Sequence, residues 1–267
     1  MQRWELIWED VTRIRETAPL VFNVTNNVVT NTTANALLAL GASPAMSHAP
    51  EDAEELAAMA GAVVLNIGTP ENSYVQSMVK AARAAADRGI PVVLDPVAAG
   101  VTRHRTQALR KVLDAAPVSV VRGNASEIMA MAGLNAVSKG ADSAHDADDA
   151  LDAVQSLARS LGCAACVSGA RDTLTDGRRT IRLTGGHAMM PKVTGLGCTA
   201  TALIGAFCAV NDNHLEAAAH GMAVMNAAGA IAGQKAPGPG SLQYLLYDAL
   251  YGLTAEQVKN QLDWEEI

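Results

Sequence analysis

Short β-branched runs alternate with alanine-rich amphipathic segments along most of the chain. Apolar runs at residues 20–24, 62–67, 91–94, 118–121 and 164–167 read as strands, and the stretches between the first four carry helical spacing. Strand, helix, strand in repetition signals parallel β-structure flanked by helices. Runs such as AVVLNI and PVVLD are apolar almost throughout, which suits a sheet covered on both faces. Gly41, Gly89, Gly133 and Gly162 each close a helical segment where a left-handed cap is needed. Ahead of the first strand, Trp4, Ile7, Trp8, Val11 and Ile14 recur at helical spacing among charges, as in an amphipathic surface helix rather than a signal peptide. From Gly197 onward the pattern turns to helices only, over 198–210, 214–232 and 242–250, so the sheet is expected to be complete by then. No internal repeat or composition break divides the chain, and Lys235-Ala-Pro-Gly-Pro-Gly240 reads as a turn between helices. One α/β domain spanning residues 1–267 is expected.

Composition narrows the partners. Of the 267 residues, 49% are hydrophobic and 18% charged, enough apolar material for a sizeable core and too little charge for disorder. Lys and Arg total 20 against 27 Asp and Glu, a formal charge of -7 with no basic run, so nucleic acid is not an expected partner. The longest weakly polar stretch, 222–233, is interrupted by Asn226 and falls short of the roughly 20 residues a membrane span needs. A cytoplasmic protein without a membrane partner is expected. Of the four cysteines, Cys163 and Cys166 alone have a suggestive spacing, but on a strand residues three apart point to opposite faces and could not share a metal.

Five segments could carry chemistry. Thr194-Gly-Leu-Gly-Cys-Thr-Ala-Thr201 is a glycine turn opening directly into a helix. It fits G-x-G-x-x-A, yet a dinucleotide fingerprint should follow the first strand, and this one follows Met189-Met190-Pro191. A Walker loop is absent from the sequence. What remains is a helix N-terminus whose N–H groups at Gly195, Gly197 and Cys198 are aimed at an anion, or a tight turn before a core helix. Asp95 ends the strand PVVLD and Pro96 delays the next helix, which places a carboxylate at the strand edge where open parallel sheets bind ligands. Asn124 and Glu127, as N-x-x-E after the next strand, suit either a capping box or, with Asp95, a magnesium ion held through water. The segment Val167-Ser168-Gly-Ala-Arg-Asp172 turns off a further strand end, and Asn23, Asn26, Asn27, Asn31 and Asn35 crowd the end of the first strand, where such residues commonly satisfy local backbone. His48, His104, His145, His187, His214 and His220 form no H-x-x-x-H or H-E-x-x-H set, and no G-x-S-x-G elbow occurs, which removes zinc hydrolases and serine hydrolases.

Together, N-x-x-E after a middle strand, a strand-ending Asp and a late Gly-x-Gly turn resemble the ribokinase-like superfamily. Residues Phe22–Asn35, Gly41-Ala-Ser-Pro-Ala-Met46, Leu65-Asn-Ile-Gly68, Leu94-Asp-Pro-Val-Ala-Ala-Gly100, Arg122-Gly-Asn124 and Gly195-Leu-Gly-Cys198 are similar, in that order, to the hydroxyethylthiazole kinases of thiamine salvage. The resemblance implies a three-layer α/β/α fold with a central, mostly parallel sheet and no β lid, and phosphorylation of the hydroxyl of 4-methyl-5-(2-hydroxyethyl)thiazole by ATP with Mg2+. By position it implies Met46, Gly68 and Gly195 in the thiazole pocket with Asn23 and Asn26 nearby. Arg122 and Ser168, flanked by Asn124 and Gly197, would contact ATP. Asp95 and Glu127 would be the magnesium-side carboxylates. Cys198 stands where related sugar kinases carry an aspartate base, and helix position alone would lower its pKa, so it either accepts the substrate proton or orients the hydroxyl. Alternatives on the same fold are an ATP-dependent dehydratase, a hydroxymethylpyrimidine-type kinase, or a nucleotide-binding module without turnover. With no room for a lid, the family's homotrimer, which places substrate pockets at subunit boundaries near Met46, is the expected way to exclude water.

Overall fold

A computed structural model of the chain describes residues 1–133 and 144–267, the side chains of 144–150 excepted. After the amphipathic helix α1 (Arg3–Thr17), strands and helices alternate. Strand β1 (Leu20–Val24) leads to α2 (Thr30–Leu40), β2 (Ser43–Met46) to α3 (Ala53–Met59), β3 (Ala62–Asn66) to α4 (Asn72–Ala86), and β4 (Val92–Asp95) to α5 (Arg103–Leu113). Strand β5 (Val120–Asn124) runs straight into α6 (Ala125–Met131), and α7 (Ala144–Leu161) precedes β6 (Ala164–Ser168). Strands β7 (Arg171–Thr175) and β8 (Thr180–Thr184) form a hairpin, followed by α8 (Leu196–Cys208), α9 (His214–Lys235), α10 (Pro239–Tyr251), α11 (Ala255–Gln261) and β9 (Asp263–Glu266). All nine strands join one sheet in the order β2-β1-β3-β4-β5-β6-β7-β8-β9, parallel through β6 and antiparallel beyond it.

The continuous apolar runs follow from burial on both sides. Val21, Val64, Val93, Val120 and Cys166 face a core built with α1, α2, α8, α9 and α10. Their neighbours Phe22, Val63, Leu65, Leu94, Val121 and Cys163 face a second core built with α3 to α7. Period-two alternation across a sheet covered by helices is what sets three layers. It also puts Cys163 and Cys166 on opposite sides, as their spacing implied. The four cap glycines all adopt positive φ, from 64° at Gly162 to 112° at Gly41.

Three strands beyond the expected five lie before Gly197, and the expectation that the sheet ends there is overturned by β9. Its sequence, DWEE, has no β-branched run, so nothing local announces a strand. It is recruited from outside: β9 pairs antiparallel with β8, Leu183 against Trp264. Glu266 accepts from Arg179 at 2.8 Å and is paired with Arg3, while Glu216 of α9 accepts from Arg179 at 2.7 Å and from Arg3 at 3.2 Å. Strand β2, sequence SPAM, is a half-buried edge with no hydrophobic run to find. The β7–β8 hairpin did carry a signal, the Asp176-Gly177 turn.

Helix α8 crosses so close to the sheet that Gly205 is required for its space: a Cβ there would stand 2.6 Å from Val64 Cγ2 and 3.2 Å from Val21 Cγ1, both on stiff, buried side chains. Overpacking of about 1–3 kcal/mol outweighs the roughly 1 kcal/mol that alanine gains in a helix. Gly205→Ala should therefore lower the denaturant midpoint with an unchanged slope, and an equal or higher midpoint would contradict this packing.

Candidate active site

The carboxyl ends of β3, β4, β5 and β6 meet the N-terminus of α8, and most of the residues expected to act converge there. Gly195 caps α8 at φ 81°, a conformation that favours glycine, and a Cβ at that position would collide with Val29. The first helical acceptance is Thr199 N–H to Gly195 O at 2.9 Å, so the N–H groups of Leu196, Gly197 and Cys198 have no acceptor within the helix. The Arg122 guanidinium lies flush against this turn, since a Cβ on Gly197 would stand 2.6 Å from its Nη1. Arg122 also donates to Ser168 Oγ and sits 4.0 Å from Asp95 Oδ2. A cavity of about 780 Å³ opens here, lined among others by Arg122, Asn124, Ser168, Gly195 and Gly197.

On the other side of Cys198 lies a second group. Asn26 Nδ2 donates to Asn66 Oδ1 at 2.8 Å and lies 3.5 Å from Cys198 Sγ, while Asn66 Oδ1 also accepts the Gly68 N–H at 2.9 Å. A Cβ on Gly68 would stand 2.6 Å from Asn26 Nδ2. Asn26 thus does more than satisfy its own turn, whereas Asn35 donates only to Asn31, as local asparagines do. Asn23 and Met46 stand apart from this set as register partners on β1 and β2, with Asn23 fully buried and its Oδ1 without a partner. Neither they nor Asn26 and Gly68 line the cavity.

Two residues escaped the sequence reading. Asn66, opposite Asp95 in the β3–β4 register, gave its signal only as part of the Leu65–Gly68 motif. Arg105, on α5, donates to Ile67 O at 2.9 Å, Gly68 O at 2.8 Å and Val97 O at 3.1 Å, pinning the loops after β3 and β4 together. Nothing in its amphipathic helix sets it apart from neighbouring arginines. The side chain of His145 lies outside the described residues.

The Hydroxyethylthiazole kinase family profile matches residues 11–256. The chain belongs to the hydroxyethylthiazole kinase family. The hydroxyethylthiazole kinase of Oleidesulfovibrio alaskensis is 52% identical over 97% of each chain. The structure of a hydroxyethylthiazole kinase protein from Pyrococcus horikoshii superimposes with a TM-score of 0.91 at 41% identity, covering 98% of this chain and 99% of that one. A ribokinase-like superfamily protein from Enterococcus faecalis, 14% identical, shares the fold with a TM-score of 0.62 over 86% of each chain. The fold is accordingly ribokinase-like α/β/α, and β1 passes to α2 with no strand inserted between them.

Within this family fold the carboxylates are not equivalent. Asp95 is buried at 1% exposure, not set outside the core as a strand-end residue would be, and Thr201 Oγ1 donates to its Oδ2 at 2.8 Å. Burial pushes its pKa up to about 6, against the pull of Arg122 and with a further push from Glu127. Glu127 is engaged otherwise: Oε2 accepts the Asn124 N–H and Oε1 the Ala98 N–H, each at 2.8 Å, while Asn124 Oδ1 accepts the Glu127 N–H. The capping box is therefore formed. It also holds Ala98 at φ 56°, a left-handed conformation costing an alanine roughly 1–2 kcal/mol.

Cys198 reverses the expectation drawn from helix position. Burial, then the nearby Asp95 charge, push its thiol up to about 11, more than the Asn66 and Asn26 amides and Arg122 offset. It is a thiol at neutral pH. Cys163 and Cys208 are pushed up to about 12 and Cys166 higher still, all by burial, and these three are buried whereas Cys198 is partly exposed. Alkylation followed by mass spectrometry should label Cys198 first, at a rate that climbs from about pH 7 to about pH 10 without levelling, and Asp95→Asn should shift the curve to lower pH. A plateau near neutral pH would mean that a thiolate is already present.

Proposed function

We propose that the chain transfers the terminal phosphoryl group of ATP to the hydroxyl of 4-methyl-5-(2-hydroxyethyl)thiazole, a step of thiamine biosynthesis and salvage. Family membership over nearly the whole chain carries this reading, and the site gives it a mechanism. Phosphoryl transfer asks for positioning and charge neutralisation more than for covalent chemistry. The free N–H groups at the head of α8 and the Arg122 guanidinium supply both around the 780 Å³ cavity, with Ser168 and Asn124 on its wall. The hydroxyl oxygen bonds to phosphorus as the bond from phosphorus to ADP breaks, and the hydroxyl proton passes to an oxygen of the transferred phosphoryl group or to water. The Cys198 thiol, rather than taking the proton as a thiolate, orients that hydroxyl beside Asn26, because a loose transition state demands little help from a base.

Among the described residues no group of three or more His, Cys, Asp or Glu is placed to hold a metal. Asp95 and Glu127 lie near enough for the Glu127 charge to act on Asp95, and two such carboxylates fit magnesium, which takes one or two and completes its shell with water and substrate phosphates. Glu127, with both oxygens accepting backbone N–H groups, would act through water. When bound, the ion neutralises charge on the transferring phosphate.

The thiazole side is open. Met46, Asn23, Asn26, Gly68 and Cys198 are not part of the lining of the 780 Å³ cavity, β2 is an edge strand, and Val28 and Leu38 are exposed at 62% and 59%. These observations support a homotrimer in which a neighbouring subunit closes the pocket near Met46. We also read the chain as a single cytoplasmic domain; among the described residues no helix is long and apolar enough to cross a membrane.

Incubation with ATP, magnesium and the thiazole alcohol should yield the alcohol phosphate by mass spectrometry. Folded protein giving ADP without that product, or no turnover, would refute the activity. Light scattering should give three times 27.7 kDa, and a fully active monomer of 27.7 kDa would refute the shared pocket.

A further inference from the structure

Asn226 is the only hydrogen-bonding side chain in residues 222–233 of α9, a run otherwise made of apolar residues and glycine. It lines the cavity with Met222 and Met225. Its Nδ2 donates to Asp172 Oδ2 at 2.9 Å. Asp172, 3% exposed on β7, accepts the Gly169 N–H on its other oxygen at 3.0 Å. Gly169 follows Ser168 in the turn between β6 and β7, and Ser168 is tied to Arg122. On its opposite flank Asn226 meets the turn after β8: a Cβ on Gly185 would stand 3.0 Å from Asn226 Cβ, and one on Gly186 3.6 Å from Oδ1. One side chain from α9 therefore reaches the Gly185–Gly186 turn directly and the Ser168–Gly169 turn through Asp172.

The chemistry of the pair fixes its orientation. Burial raises the Asp172 pKa, and the donors from Asn226 and Gly169, with Arg122 nearby, oppose that rise. Both Asp172 oxygens act as acceptors, Oδ1 from the Gly169 N–H and Oδ2 from Asn226, so Asn226 presents its NH2 to Asp172 and turns its carbonyl away. An amide in place of Asp172 could flip and hold neither turn uniquely.

We propose that Asp172 and Asn226 form a positioning clamp for the nucleotide, holding the Ser168–Gly169 and Gly185–Gly186 turns at the separation that bound ATP requires. The clamp rests on reading this cavity as the ATP site, and it governs affinity for ATP while leaving the thiazole alcohol unaffected.

The test is a swap. Asp172→Asn replaces the charge-assisted hydrogen bond by a neutral one that re-forms only if the Asn226 amide flips and turns its NH2 toward the Gly185–Gly186 turn, and Asn226→Asp sets two carboxylates face to face. The double variant exchanges donor and acceptor and restores both hydrogen bonds. Calorimetric titration with ATP and magnesium, KM for each substrate, and thermal midpoints are compared with the parent. Each single variant should weaken ATP binding about tenfold, the scale set by one lost charge-assisted hydrogen bond, with the alcohol KM within about twofold. The double variant should recover most of the loss. Asn226→Ala, which adds no charge, should weaken ATP binding similarly and serves if Asn226→Asp does not fold. Parent-like ATP affinity in the single variants, or a double variant no better than they are, overturns the clamp. A parent that binds ATP without making the phosphate leaves the clamp to be judged on affinity and removes only the activity; a parent that binds no ATP overturns both.

Discussion

A single buried carboxylate, Asp95, is the constraint around which the site is arranged. It ends the interior strand β4, where the sheet's carboxyl edge meets the head of α8. Ionising a buried acid costs free energy unless donors and a countercharge surround it. Thr201 supplies the hydrogen bond and Arg122 the charge. Arg122 in turn lies against the Gly195–Gly197 turn and binds Ser168, so the same guanidinium that favours the ionised form of Asp95 also stands beside the free N–H groups at the head of α8. Burial, reinforced by the Asp95 charge, keeps Cys198 protonated. Acid, cation, thiol and helix terminus form one electrostatic unit.

Around that unit the loops are fixed by side chains anchored outside it. Arg105 ties the backbone after β3 to the backbone after β4, and Glu127 holds Ala98 in a conformation alanine resists. Strain of this kind persists only where surrounding contacts over-determine it. The stability of the three-layer core, with apolar side chains on both faces of the sheet, is what such a site draws on.

The parallel part of the fold was legible because its strands are buried on both faces and so are written as unbroken apolar runs, and because the connecting helices end at glycine. Strands held by partners more than by their own apolar side chains were not: β9 is acidic and mostly exposed, and Arg3, Arg179 and the pairing with β8 hold it as a strand. Within the site, Asp95 and the Gly195–Cys198 turn could be named from a strand end and a glycine turn, which are local features, and Arg122 from the family resemblance. Asn66, Arg105 and the pairing of Asp172 with Asn226 could not, since each depends on residues far apart in sequence meeting across the sheet edge. The charge state of Cys198 was misjudged for the same reason: its helix position is local, whereas the burial and the Asp95 charge that decide it are tertiary.

The protonation of Asp95 is tested most directly by unfolding the parent and Asp95→Asn with denaturant in parallel, from about pH 4 to about pH 8. With a folded pKa of about 6 against 3.8 unfolded, Asp95 binds its proton more tightly in the folded state, so its ionisation costs stability as pH rises through that window. Any constant offset between the two proteins reflects the exchanged contacts, and the slope of the difference reflects the ionisation. The account predicts that the parent loses stability relative to Asp95→Asn between about pH 4 and about pH 6 and that the difference is flat above. A difference that is flat throughout, or that moves in the parent's favour as pH rises, would contradict it.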